Sequence, residues 1–164
     1  MVYTERAPDT FAATLLHEGL MLVGDRKAEL RLDAPASLSH LGAAQLILPG
    51  RSNVISAQVE NALRRSGLPD QNRFEAESLS LCLEFTRRGL GYMVIPYSAL
   101  HHQLEIGGDL SAAPIRTLSV TWQLHVNRAR RNAMPTRSVI AMLAKQVKSA
   151  ISEGGWRFAE VFVK

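Results

Sequence analysis

The stretch "EAESLSLCLEFTRRGLGYMVIP", Glu75 to Pro96, decides the fold. It continues a strand-like segment that begins at "NR" (Asn72, Arg73), places Ser78 where a helix cap belongs, and runs through a helical pattern to Gly89. "GYMVIP" follows as an unbroken apolar run closed by Pro96, the mark of a buried strand. The same succession occurs upstream. A short strand at Gln45 to Leu48 meets Pro49 and Gly50, and then "NVISAQVENALRRSG" carries Ile55, Val59 and Ala62 at helical spacing. Ser52 or Asn53 caps that helix and Gly67 ends it. With "LMLVG" (20 to 24) as a further strand, the order β, α, β, α, β implies an α/β fold with a parallel sheet and helices packed on its faces.

Beyond Pro96 the pattern loosens. "EIGGDL" reads as a turn between short segments. His101 and His102 are adjacent, so in an extended segment they point to opposite sides, and neither has a cysteine or carboxylate at ligand spacing; no metal site is expected. "TLSVTWQLHVN" (Thr117 to Asn127) alternates apolar and polar residues as a strand with one wet face does, and Trp122 falls on its apolar side, where core packing is its expected role. Pro135 and Thr136 open a closing amphipathic helix, with Val139, Ile140, Leu143, Val147 and Ile151 as its expected buried stripe. The tail "WRFAEVFVK" is either a strand or a vector-derived remnant.

Composition sets the outer bounds. A chain of 164 residues with 46% hydrophobic and 21% charged side chains is an ordinary globular sequence, too short for a second independent domain. No apolar run approaches the roughly 20 residues that cross a bilayer, and "MVYTERAPDTF" lacks the features of a secretory signal, so the expectation is a cytoplasmic protein with no membrane partner. The single Cys82 lies inside the apolar pattern "SLSLCLEF" and reads as a small buried hydrophobe. The net charge of +4 is uneven: residues 1 to 82 carry 8 basic and 10 acidic side chains, residues 83 to 164 carry 11 and 5. Its densest point, "NRARR" (Asn127 to Arg131), is short and without aromatics, so it reads as a solvated turn rather than a nucleic-acid surface. No GxSxG, CxxC, HExxH or P-loop pattern occurs and Glu77 has no paired carboxylate in sight, so neither an enzyme nor a cofactor is expected.

Ligands of open α/β sheets bind beyond the carboxyl ends of the strands, where helix starts present unpaired N–H groups. Here Pro49 and Gly50 turn the chain, Arg51 offers a forked cation, and Ser52 and Asn53 offer short polar groups. Ser78 begins the second such corner. Together they describe a site for an anion or a small polar ligand.

The series "LILPGRSN", "EAESLSLCLEFTRRGLGYMVIPYSAL", "APIRTLSVTWQL" and the helix after "MPTRSVIAML" resembles the effector-binding domain of LysR-type transcriptional regulators. "VYTERAP" and "LLHEGLMLVG" resemble that family's passage from its first lobe into its second, and the likeness covers almost all of residues 1 to 152. The resemblance implies a type-2 periplasmic-binding-protein-like fold, here one complete lobe plus part of the second. Residues 1–18 would be the end of the first lobe and the hinge, 19–113 the second lobe, 114–152 a crossing strand and terminal helix returning to the first lobe, and 153–164 a tail. Carried over by position, Gly50, Arg51, Ser52 and Asn53 would face an interlobe cleft from one helix start, Ser78 from the other and Thr4 from the hinge. The implied ligand is a small effector, an organic anion by the presence of Arg51. The family's winged helix-turn-helix, through which DNA would be bound, and the first part of lobe one are expected to be missing from this chain. Its apolar surface would then be covered in a dimer or swapped dimer. The competing expectation is a small-solute-binding or self-associating interaction module with no DNA role.

Overall fold

A computed structural model of the protein describes residues 10–70 and 72–161. In chain order the strands are β1 (Thr10–Asp25), β2 (Leu46–Leu48), β3 (Arg73–Glu75), β4 (Tyr92–Pro96), β5 (Leu110–Asn127) and β6 (Ala159–Val161). The helices are α1 (Leu38–Ala43), α2 (Val54–Arg65), α3 (Leu79–Arg87), α4 (His101–Gly107) and α5 (Met134–Ser152). The chain divides into two compact units, one spanning Gly19–Val120 and the other built from the residues before and after it.

Within Gly19–Val120 the strand order is β3-β2-β4-β1-β5. β2 pairs in parallel with β3 on one side (Leu46 opposite Arg73, Leu48 opposite Glu75) and with β4 on the other (Leu46 opposite Tyr92, Ile47 opposite Met93). These are the three strands whose β, α, β, α, β succession implied a parallel sheet, and each crossover is a helix. β1 departs from that pattern: it joins β4 antiparallel, Leu20 opposite Pro96 and Val23 opposite Met93. An apolar run buried on both faces has the same sequence in either direction, so the direction of "LMLVG" was not readable.

Burial explains those runs. Leu20 to Val23, Leu46 to Leu48 and Met93 to Ile95 are buried without interruption because the sheet is covered on both faces. α2 contributes Ile55, Val59 and Leu63, four residues apart, and α3 contributes Cys82, Leu83 and Thr86. Leu63 replaces the expected Ala62 on the core stripe. Thr86 is tolerated there because its hydroxyl donates to the Cys82 carbonyl at 2.9 Å. Gly67 and Gly89 both follow helices with positive φ, 66° and 71°, as their positions in the sequence required.

Other expectations are corrected. The stretch after Pro96 is not irregular: His101 and His102 open α4, and their rings lie 6.4 Å apart. Leu100, fully buried, anchors the helix start from outside it, so α4 carries little apolar periodicity of its own. β5 begins at Leu110 instead of Thr117; the small residues Ala112 and Ala113 and Pro114 conceal a strand that is nonetheless buried. Among the described residues no group of three His, Cys, Asp or Glu could hold a metal ion.

In the other unit, β6 pairs antiparallel with the middle of β1, Leu16 opposite Val161 and Glu18 opposite Ala159, so the tail contains a strand. Trp122 stacks on Trp156 with centroids 6.5 Å apart, and its indole N–H donates to buried Glu18 at 2.8 Å. Packing is thus its role, with the polar edge satisfied. The expected stripe on α5 is different: only Val147 is buried, while Val139 and Leu143 are 53% and 41% exposed. Helical periodicity identifies the apolar face of α5 but not what lies against it.

Gly91 tests the central pairing. A Cβ at this position would lie 2.6 Å from the Gln45 carbonyl oxygen, the group that accepts from Tyr92 N at 2.8 Å. Gly91→Ala must push β4 away from β2, and a loss of about 1–3 kcal/mol in urea unfolding is expected. An unchanged midpoint would contradict the pairing.

Candidate functional site

β2 delivers the chain to Pro49, whose carbonyl is held by two donors, the Ser56 hydroxyl at 2.5 Å and Arg73 Nη2 at 3.1 Å. Gly50 follows and turns the backbone, its carbonyl accepting from Asn53 N at 2.9 Å. Asn53, not Ser52, is the cap: its Oδ1 accepts from Ile55 N at 2.9 Å. Ser52 remains exposed. On the neighbouring strand, Ala76 N donates to the Leu48 carbonyl at 3.0 Å, which prolongs the β3 pairing by a residue and brings Glu77 and Ser78 to the end of β2.

Glu77 then closes the corner. Its carboxylate accepts from Gly50 N at 3.0 Å across 27 residues of sequence. A Cβ at position 50 would crowd that oxygen, so a side chain there would push the Glu77 carboxylate off the Gly50 amide. Ser78 stands at the N-cap position of α3, yet its side chain makes no capping bond and is exposed. Gly50, Ser52, Asn53 and Ser78 are therefore gathered at one edge of the sheet, with exposed hydroxyls from both helix starts and a carboxylate seated between them.

Arg51 is ion-paired beside this group. Its guanidinium is 3.6 Å from Glu60 and 3.7 Å from Glu75, along α2 and β3. It lines a cavity of about 380 Å³ together with Glu60, Arg64, Leu68 and Asp70. Thr4 lies outside the described residues. Sequence reasoning missed the role of Glu77, which the notion of a catalytic pair had set aside; a contact across 27 positions leaves no local signal. Cys82 is buried, and that burial pushes its thiol up from the ordinary value, the negative charge of Glu77 acting in the same direction. The thiol donates to the Ala76 carbonyl at 3.2 Å.

In open α/β sheets, ligands commonly bind where helix starts converge beyond the strand ends, and the fold here is of the type-2 periplasmic-binding-protein-like kind. The LysR substrate binding domain family matches residues 2–148, and the chain belongs to it. A curated relative, the HTH-type transcriptional regulator BbuR of Bordetella bronchiseptica, is 26% identical over 150 residues, covering 91% of this chain and 46% of BbuR. Among solved structures, an H2O2-bound Corynebacterium glutamicum OxyR mutant matches with a TM-score of 0.71 at 22% identity, over 94% of this chain and 51% of OxyR. The Synechocystis CcmR regulatory domain in complex with 2-PG matches with a TM-score of 0.70 at 16% identity, over 90% of this chain and 72% of that one. The chain spans about half the length of BbuR and of OxyR.

The geometry makes two predictions that need no ligand. Asn53→Ala removes the cap of α2 and lowers stability by about 1 kcal/mol in urea unfolding; no change would show that Ser52 or water caps equally well. Cys82, buried and held neutral, reacts with Ellman's reagent only as the protein unfolds. Rapid labelling of the folded chain would overturn its placement in the core.

Proposed function

We propose that this chain is the effector-sensing part of a bacterial LysR-type transcriptional regulator, acting in the cytoplasm. In this reading a small organic anion binds where Gly50, Ser52, Asn53 and Ser78 converge, with Arg51 beside them. The observation that carries it is the bond between Glu77 and Gly50 N, because a resident carboxylate already occupies a backbone donor at this edge. A ligand carboxylate can take its place, with the hydroxyls of Ser52 and Ser78 as further donors. Arg51 is largely exposed and its pairs at 3.6 and 3.7 Å are loose, so it can re-pair with an incoming anion at little cost. The solved OxyR mutant with H2O2 bound and the CcmR regulatory domain in complex with 2-PG support a ligand-binding role at this fold.

Regulation follows from differential affinity. Residues 19–113 act as one lobe, residues 1–18 and 114–152 connect it to the other, and the effector favours one arrangement of the lobes over another. DNA is contacted by a helix-turn-helix domain outside this sequence, a reading supported by the name of BbuR and by a solved neighbour, full-length CbnR complexed with its target DNA. The exposed apolar face of α5, with Val139, Met142 and Leu143, is covered by a second copy of the chain.

Thermal unfolding of the chain with a panel of small carboxylates tests this reading, each acid paired with its neutral amide. At least one acid is expected to raise Tm saturably, equivalent to about 2.7 kcal/mol at roughly 100 times its Kd. Its amide leaves Tm unchanged, and Ser78→Trp, which fills the corner, removes the effect. Equal shifts from acids and amides, or none from any acid, would sink the anion site. In that case a self-associating module without a small-molecule role becomes the better reading.

A further inference from the structure

We propose that one side of α5, together with the turn before it, docks against the phosphate backbone of duplex DNA without reading its sequence. From Leu110 to Ser152 the chain contains no Asp or Glu, yet it carries seven Arg and Lys. The fold gathers six of them. Arg128, Arg130 and Arg131 lie in the turn that links β5 to α5, and Arg137, Lys145 and Lys148 follow on the helix itself; all six are exposed. Among the described residues no ion pair engages Arg128, Arg130, Arg137, Lys145 or Lys148. The acidic residue that ends the stretch, Glu153, accepts from the Ser149 hydroxyl. Taken alone, Asn127 to Arg131 is too short for a nucleic-acid surface; continued along α5, it is not.

Helical geometry sorts the side chains of α5. At about 100° per residue, Ile140, Ala144, Val147 and Ile151 share the side turned to the body, Val147 buried and the others half-buried. Arg137, Ala141, Lys145 and Lys148 share a second side, and exposed Val139 and Leu143 a third. The basic side and the exposed apolar face therefore lie on opposite flanks of the buried stripe. That separation decides between polyanions. A helix lying on an anionic membrane sets its apolar face down with cations at the rim, and here the two cannot meet one surface together. An acidic protein face needs apolar or aromatic anchors among the charges, and only Ala141 stands between Arg137 and Lys145. Protein–DNA interfaces are polar and strongly positive, as this side is. From Arg137 to Lys148 is roughly 16 Å at 1.5 Å per residue, the length of about five phosphates along one strand. Arg128 and Arg130 add two cations ahead of the helix start. The choice of duplex DNA as the polyanion rests on the regulator reading above.

The test is fluorescence anisotropy of the full chain with a labelled duplex of arbitrary sequence and about 20 base pairs, titrated at salt concentrations from about 20 to 150 mM. The expected result is a weak affinity that falls steeply with salt, log K against log salt sloping at about −4. Arg137→Gln, Lys145→Gln and Lys148→Gln combined reduce that slope to about −2 and raise Kd at the lowest salt about tenfold. Arg26→Gln, Lys27→Gln and Arg65→Gln combined, which remove the same charge from exposed positions elsewhere, leave both unchanged. Three outcomes overturn the proposal: no binding at the lowest salt, equal weakening by the two triple variants, or displacement of the duplex by a poly-glutamate peptide as readily as by unlabelled duplex. The last would make an acidic protein segment the partner. The carboxylate-dependent rise in Tm is measured on the α5 triple variant as well and stays intact there, so loss of the DNA contact is distinguishable from loss of the effector site.

Discussion

The parallel pairing of β2 with β3 on one side and β4 on the other is the constraint from which the functional geometry follows. Parallel strands cannot be joined by a tight turn, so each needs a crossover, and each crossover here is a helix that starts at the same edge of the sheet. The starts of α2 and α3 are therefore neighbours although 25 residues separate their first positions, Val54 and Leu79. The Ala76 N bond to the Leu48 carbonyl holds the end of β3 in register, and Glu77 then reaches the Gly50 amide. A shift of one residue in that pairing would turn Glu77 to the other face and dissolve the corner.

What the corner can recognise is set by which groups remain available. Asn53 is spent on capping α2, whereas Ser52 and Ser78 keep exposed hydroxyls and Gly50 offers its N–H to whichever carboxylate competes best. Charge is arranged differently from the simplest reading of "PGRSN". Arg51 leans along α2 toward Glu60 and Glu75, so the strongest fixed cation near β2 is Arg73, buried and aimed at the Pro49 carbonyl. In the proposed site, selectivity would thus rest on hydrogen bonding more than on a standing positive charge.

Much of this was legible in the sequence where local chemistry is decisive. Gly67 and Gly89 end helices, Ser78 marks the start of α3, and the unbroken run "YMVIP" could only be a buried strand. Cys82 reads correctly because a lone cysteine inside a helical apolar pattern packs as a small hydrophobe. What stayed hidden depends on distance in the chain. The direction of β1, the Glu77 contact with Gly50 and the turning away of Arg51 are all decided by partners that no window of sequence contains. α4 was hidden for a different reason: its anchor, Leu100, lies just before the helix, and seven residues give periodicity little to work with. On α5 the amphipathic pattern was read correctly as an apolar face, but the inference from face to burial failed at Val139 and Leu143.

The most direct measurement is amide chemical-shift mapping of the chain as a stabilising carboxylate is added. The account requires the largest perturbations at Gly50, Ser52, Asn53, Glu77 and Ser78, with the Gly50 N–H changing partner from Glu77 to the ligand. Perturbations confined to α5, or spread evenly over charged surface residues with Gly50 unmoved, would show that the converging helix starts are not the binding site.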